Sequence, residues 1–513
     1  LAIEPTRPWN AEFLNAQLKN KALATRDAFW STYIAVNDYA EDEEQLESPI
    51  RMLLNWALNT KLDGVDQERL RLLSITFLWF TTTSNRLLRS QATKALSKVL
   101  FMIKESIPTF ITEFSSIDDM YLVSSLYAAI YGAVVKIDDN NLISKITENI
   151  PFEIVIEGEH PNILLRDYIS GIYEYAIFRG AISKDMKSIH SPYKSKWPLD
   201  IPGKDEIDRL GDGFSRIKQS IQGGLNDFGK YTMSDIHNWS CTELATYEKP
   251  KSCKEVTKEF IESLDKITKS KYNRYLDLKI KQEKADSLST AQFFETLLDE
   301  EVSTNNINPD EKSALKEQAS QMLEELKSII PENKKEMFEW IQTLGISDRP
   351  AKFNFEWAQR WVIKRAYELG WSERLFGEFE KNYCSYHTGS TSNKVERIGK
   401  KYQWIAFHEL LAILSDNLIF IDRGYSDTDD SRYFGAWQLA LREFDPTTWV
   451  NERTFNTQLN YSLHWWVSDN YKLFPDLDME NQNEWLWDEA SIPNLKDCFQ
   501  YVNSEDQTSW ISL

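Results

Sequence analysis

The sequence predicts a mainly α protein, an α-solenoid of degenerate helical repeats with a loop-rich insertion, and three observations lead there. Apolar residues recur at helical spacing along much of the chain. Large side chains outnumber turn formers, with 18 Trp, 22 Tyr and 26 Phe against 18 Gly and 16 Pro, whereas all-β folds need turns marked by Gly and Pro at short spacing. The 513 residues exceed the ~100–200 of one ordinary domain, so several domains or an extended array is expected.

The elements follow in order. In residues 1–190, Leu70, Leu73, Phe77 and Phe80 make one helical stripe, and Leu88, Ala92, Ala95, Leu96, Val99 and Leu100 make another. The second has the grammar of HEAT-type repeats: Arg89 at the start, Ala92 and Ala95 where helices approach, and Val99 two turns on. Leu165, Tyr168, Ile169, Ile172 and Ala176 echo it. No strict period emerges, so degenerate repeats and one closed bundle both stay open. Residues 191–250 form a connector punctuated by Pro192, Pro198, Pro202, Gly211, Gly223 and Gly229. Helices resume in residues 251–390. The clearest opens at Asn308-Pro309-Asp310-Glu311, with Asn as cap, Pro at the first position and acids at the positive end of the dipole, and it ends at Pro331. Residues 391–513 form an aromatic, acidic C-terminal part.

That part opens with the most informative stretch, Arg397 to Asn417. Trp404, Phe407, Leu411 and Leu414 fall at i, i+3, i+7 and i+10, a core stripe, while Glu396 and Lys400 stand four apart as a surface pair. His408 and Glu409 invite a zinc-protease reading, but Ala412 stands where the second His is needed. The expectation is therefore a buried helix, with His408 hydrogen-bonded once.

Chemistry is marked by absences. Gly229-Lys230 is followed by Tyr231 and Gly399-Lys400 by Lys401, so no phosphate-binding loop is formed, and no Gly-x-Ser-x-Gly elbow occurs. Asp427, Asp429 and Asp430 lack the spacing of a calcium loop. No catalytic, cofactor or metal constellation is found. Cys241, Cys253, Cys384 and Cys498 have no paired spacing. A reducing, cytoplasmic location is expected, with no signal peptide and no apolar run near the ~20 residues a membrane span needs. The net charge of −20 opposes binding to nucleic-acid phosphates. It is concentrated between Asp469 and Asp506, where Asp476, Asp478, Glu480 and Glu484 are candidates for steering a basic partner. Arg397, Lys400 and Tyr402 are candidates for partner contact in the signature stretch.

Eight segments taken together resemble the C-terminal sensor region of the antiviral STAND NTPases called Avs (AVAST). They are Arg26-Asp-Ala-Phe-Trp30; Leu78-Trp-Phe with Ser84 to Leu96; Leu164-Leu-Arg-Asp-Tyr168 with Ile172 and Glu174-Tyr-Ala176; Pro192-Tyr-Lys-Ser-Lys-Trp-Pro198; Asp227-Phe-Gly-Lys-Tyr231; Leu369-Gly-Trp371; Arg397 to Asn417; and Asp445-Pro446. The resemblance spans nearly the whole chain. It implies a tetratricopeptide-like helical sensor, not an enzyme by itself, that binds a phage packaging protein, the large terminase subunit or the portal. In that family an upstream NTPase using ATP and Mg, with an effector domain, tetramerises on activation. Both upstream domains are missing here, and the chain, beginning at Leu1, is read as a piece of something longer. The alternatives are a HEAT-like scaffold of unrelated purpose and, more distantly, a carboxylate-dependent hydrolase. From the absent phosphate loop, calorimetric titration of the chain with ATP is expected to give no heat of binding.

Overall fold

The computed structural model describes residues 2–38, 48–151, 161–183, 193–211, 215–223, 228–247, 249–297, 309–384, 395–421 and 445–447, with backbone alone at 283–297 and 309–312. Helix dominates. The contacts divide the chain into two units, one of Leu1–Ile236, Glu356–Asn417 and Arg432–Leu513, the other of His237–Phe355 and Leu418–Ser431. The chain leaves the first unit, builds the second, and returns.

In the first unit the helices are α1 (Ala11–Leu18), α2 (Leu23–Arg26), α3 (Thr32–Asn37), α4 (Pro49–Asn59), α5 (Gln67–Phe80), α6 (Arg86–Met102), α7 (Ile107–Phe114), α8 (Met120–Val134), α9 (Asn140–Glu148), α10 (Ile163–Phe178), α11 (Lys204–Arg209) and α12 (Arg216–Gln222). Most of the longer ones begin at a side chain that takes up an otherwise unsatisfied first-turn N–H. Asp66 accepts from Glu68 and Arg69, Asn85 from Leu88, Asp119 from Tyr121, and Asn162 from Leu165. A π turn, Asp27–Ser31, joins α2 to α3.

The two stripes expected in α5 and α6 are buried, and so is every residue from Leu72 to Phe80, which makes α5 a central helix without a polar face. Helices close in sequence pack on one another: α4 and α5 on α6, α6 on α8, and α8 on α10.

The second unit contains α13 (Cys253–Glu262), α14 (Lys266–Leu297), α15 (Pro309–Ile329) and α16 (Glu332–Leu344). Ser252 and Glu255 make a reciprocal capping box at the start of α13. The start at Pro309 and the stop before Pro331 fall where the sequence places them. Phe260, Tyr272 and Phe338 meet edge-on or tilted in its core. Two short strands, β1 (Trp239–Glu243) and β2 (Leu418–Phe420), pair antiparallel; neither was anticipated.

The chain re-enters the first unit through α17 (Phe355–Glu368), a π turn at Glu373–Gly377, α18 (Glu378–Tyr383) and α19 (Ile398–Asn417). From far along the chain, α19 packs against α8, α10 and α12. Its Phe407, Leu411 and Leu414 are wholly buried, as the stripe requires, but Trp404 is only half-buried and lies edge-on to Phe228 at 5.3 Å. Gly132 of α8 also marks close packing, because a Cβ there would overlap the carbonyl oxygen of Pro446 and crowd Ser97. Gly132→Ala is expected to lower stability by ~1–3 kcal/mol, the usual cost of overpacking, as read from urea denaturation.

Candidate functional site

Nearly every side of α19 is buried, so its polar residues must find partners inside the protein. Lys401 Nζ lies 2.8 Å from Asp27 Oδ1 and 2.7 Å from Asp119 Oδ2, with all three side chains inaccessible to solvent. The Tyr402 hydroxyl donates to Asp27 Oδ2 at 3.0 Å, and Ser31 Oγ donates to Asp27 Oδ1 at 2.6 Å. The π turn places Asp27 and Ser31 side by side one wide turn apart. Asp119 serves twice, since its Oδ1 also accepts the Tyr121 N–H that starts α8.

Arg26, equally buried, donates to Asp118 at 2.6 Å and to the Lys21 carbonyl at 2.8 Å, and lies 3.8 Å from Asp119. Two buried cations, Arg26 and Lys401, thus face two buried carboxylates, with Asp118 at the solvent edge. Burial pushes the Asp27 carboxyl above its ordinary value against the pull of Lys401. Burial, then the facing Asp27 charge, holds Tyr402 well above the ordinary phenol value. The hub is closed to substrate, so its carboxylate pair offers no cleft for hydrolysis.

Two further buried carboxylates anchor the ends of α19. At its start, Glu380 Oε1 accepts the Gly399 N–H at 2.7 Å, next to the Trp371 indole N–H at 3.3 Å. A Cβ on Gly399 would stand 2.9 Å from that indole nitrogen, so only glycine fits. Burial raises the Glu380 pKa, although Arg397 and this N–H pull it down. At the other end, Asp416 takes Arg166 at 2.9 Å and the Tyr193 N–H at 2.9 Å, and the guanidinium sits 4.6 Å from the Tyr193 ring centre.

Segments scattered through the sequence therefore meet around one helix. Trp30 Nε1 donates to the Trp79 carbonyl, Ser84 to the Glu396 carbonyl, and Phe228 packs on Trp404. Among the residues expected to contact a partner, Tyr402 is wholly buried and Arg397 is 7% exposed, bonded to Ser220 at 2.9 Å. Both serve internal bonds, which corrects their placement on an outer surface; the helix has no solvent face on their side. Lys400 is partly exposed and pairs with Glu396 at 3.2 Å, the anticipated i,i+4 pair. Asp476, Asp478, Glu480 and Glu484 lie outside the described residues. No group of His, Cys, Asp or Glu among the described residues could hold a metal ion, and no helix among them is long and apolar enough to cross a membrane. No family model, curated protein or solved structure matches this chain.

Sequence reasoning missed an exposed ridge. On the outer side of the helical run that carries Arg26 and Asp27, Phe29, Tyr33 and Val36 follow at i, i+4 and i+7, and they are 63%, 53% and 39% exposed. Their neighbours Trp30, Ser31, Ile34 and Ala35 are buried. The signal lay in the sequence as a second apolar stripe on a helix that already had one.

Removing the lysine while keeping its two carboxylates should be costly. Lys401→Met is expected to reduce unfolding free energy by ~3–5 kcal/mol. Adding Asp27→Asn should recover part of that loss, as a double-mutant cycle in urea would read.

Glu380 gives a pH test. Its folded pKa is raised, so its contribution is complete below its ordinary value of 4.5 and declines as pH rises through the folded value. Glu380→Gln keeps an oxygen for Gly399, so the unfolding midpoint should fall less than that of the parent between acidic and neutral pH.

Proposed function

We propose that this chain is a helical protein-recognition module, the sensor part of an anti-phage STAND NTPase, that grips a folded phage packaging protein, the large terminase subunit or the portal. The observation that carries the recognition role is the Phe29, Tyr33 and Val36 ridge, a row of large apolar side chains exposed on a helix whose opposite face is fixed by buried ion pairs. Exposed aromatics on a rigid support act as the few anchors that dominate protein–protein affinity, and they lose little entropy on binding. Packing of helices close in sequence from α4 to α10 supports the α-solenoid reading, since in such arrays each part packs mainly on those near it along the chain, and they offer broad surfaces. Recognition of a whole fold buries at least ~1,200 Å², which suits a surface of this kind better than a small pocket. The identity of the partner rests on the eight-segment resemblance alone. Catalysis, ATP and Mg belong in this proposal to domains upstream, and a HEAT-like scaffold for another protein is the competing reading.

The test is capture of purified large terminase and portal by the immobilised chain. Phe29→Asp combined with Tyr33→Asp is expected to weaken capture about tenfold or more while the melting temperature stays that of the parent. Tyr402→Phe should reverse the pattern, lowering stability with capture per folded molecule unchanged. Binding of neither protein by the parent chain would remove the sensor reading, and loss of binding only in Tyr402→Phe would remove the ridge.

A further inference from the structure

From Lys266 to Gln282, helix α14 carries six cations, Lys266, Lys269, Lys271, Arg274, Lys279 and Lys281, against one acid, Asp277. The whole-chain charge of −20 conceals this local excess. Thr268, Tyr272 and Tyr275 turn inward and are buried, so the opposite side of the helix is the exposed one. There Lys266, Ser270, Asn273, Arg274, Asp277 and Lys281 follow at i, i+4, i+7, i+8, i+11 and i+15, all exposed, with Lys269 at the edge of the stripe. We infer that this face of α14 binds the phosphate backbone of a nucleic-acid duplex, without regard to base sequence.

Cations with nothing to neutralise them decide the sign of the occupant. Lys266, Lys269, Arg274 and Lys281 make no ion pair among the described residues, whereas Lys271, on the flank, pairs with Glu325. On α15, which packs along α14, Glu324 is likewise taken by Lys327. Asp277 stands one turn from both Arg274 and Lys281 but pairs with neither, so the stripe keeps four cations against one acid. Acids elsewhere in the chain count for little, because charges more than ~8 Å away through solvent are largely screened at physiological ionic strength.

The kind of polyanion follows from what else stands on the face. Ser270 and Asn273 are exposed donors without side-chain partners among the described residues, and such groups join Lys and Arg on phosphate oxygens in nucleic-acid complexes. An acidic protein would be gripped by large anchors among the charges, and a single strand by aromatic rings on which its bases stack. The stripe offers neither. Its two tyrosines point into the core, and Ile267, near one end, is the one exposed large apolar side chain from Lys266 to Gln282. A straight row of cations and small donors fits a duplex, whose charge lies wholly on its outside. Lys266 and Lys281 are separated by about 22 Å at the helical rise, a length over which a duplex presents about a dozen phosphates.

The experiment follows binding of the 513-residue chain to a fluorescently labelled DNA duplex of mixed sequence by anisotropy, with single-stranded DNA and poly-glutamate as competitors. Duplex RNA in the same assay distinguishes the two sources of such a backbone. Binding is expected to weaken ~40- to 150-fold between ~50 and ~200 mM salt, as release of counterions from three or four phosphates requires. Arg274→Gln with Lys281→Gln should weaken binding about tenfold or more at ~50 mM salt and flatten the dependence of log affinity on log salt by about two. Both positions are exposed, so the melting temperature should stay that of the parent, and Arg274→Lys, which keeps the charge, should keep the salt dependence. No binding to either duplex at ~50 mM salt, an affinity and salt dependence that the double variant keeps in full, or stronger competition by single strand or poly-glutamate than by unlabelled duplex would overturn the assignment.

Discussion

An ammonium group in a dry interior must have carboxylates within hydrogen-bond reach, and much of the first unit follows from meeting that demand at Lys401. Taking each ion from water costs several kcal/mol even after relaxation. The cost is offset only where opposite charges and further donors complete the shell, as Asp27, Asp119, Tyr402 and Ser31 do. The position of α19 therefore cannot drift relative to the π turn or to the start of α8 without leaving a buried charge uncompensated. Apolar packing would tolerate small slips. The ion pairs tie three distant parts of the chain to one register.

What could be read from the sequence was local. The stripes of α5, α6 and α10 are buried as their spacing demands, and α15 begins and stops at the prolines that mark it. The same reasoning failed on α19 for a physical reason. Periodicity identifies one apolar stripe and assigns the remaining face to solvent, but a helix enclosed on all sides has no such face. Tyr402 and Arg397, offered as partner contacts, are enclosed there. A hint was present in the long run from Tyr402 to Leu414, where His408 and Glu409 are the only titratable groups besides Tyr402. The partners were not legible, because Asp27 and Asp119 look like ordinary acidic residues near helix starts, and nothing local links them to position 401. The pairing of β1 with β2 was hidden likewise: three residues, Leu418-Ile-Phe420, are too few for a strand pattern to register.

Residues far apart in sequence, Asp27, Arg166, Tyr193, Phe228 and Trp371 among them, converge on the surroundings of α19, where they make internal contacts. Interior contacts of this kind define a scaffold, which is distinct from the surface it displays. Phe29 and Tyr33 illustrate the division well, since they share a helical run with Arg26 and Asp27 yet face the other way. One short segment thus holds both a structural lock and an exposed apolar surface.

The separation along the chain between Lys401 and its carboxylates also sets an order of events during synthesis. Asp119 precedes the lysine by 282 residues and Asp27 by 374, and a ribosome adding ~5–20 residues per second needs roughly a quarter to a full minute to make up the shorter of those distances. Until then the amino-terminal helices hold two carboxylates meant for a closed interior, and the groove that α19 will fill lies open. A message truncated anywhere upstream of the lysine codon would yield a product that cannot close its own core, which makes residue 401 a late checkpoint on whether the first unit is complete.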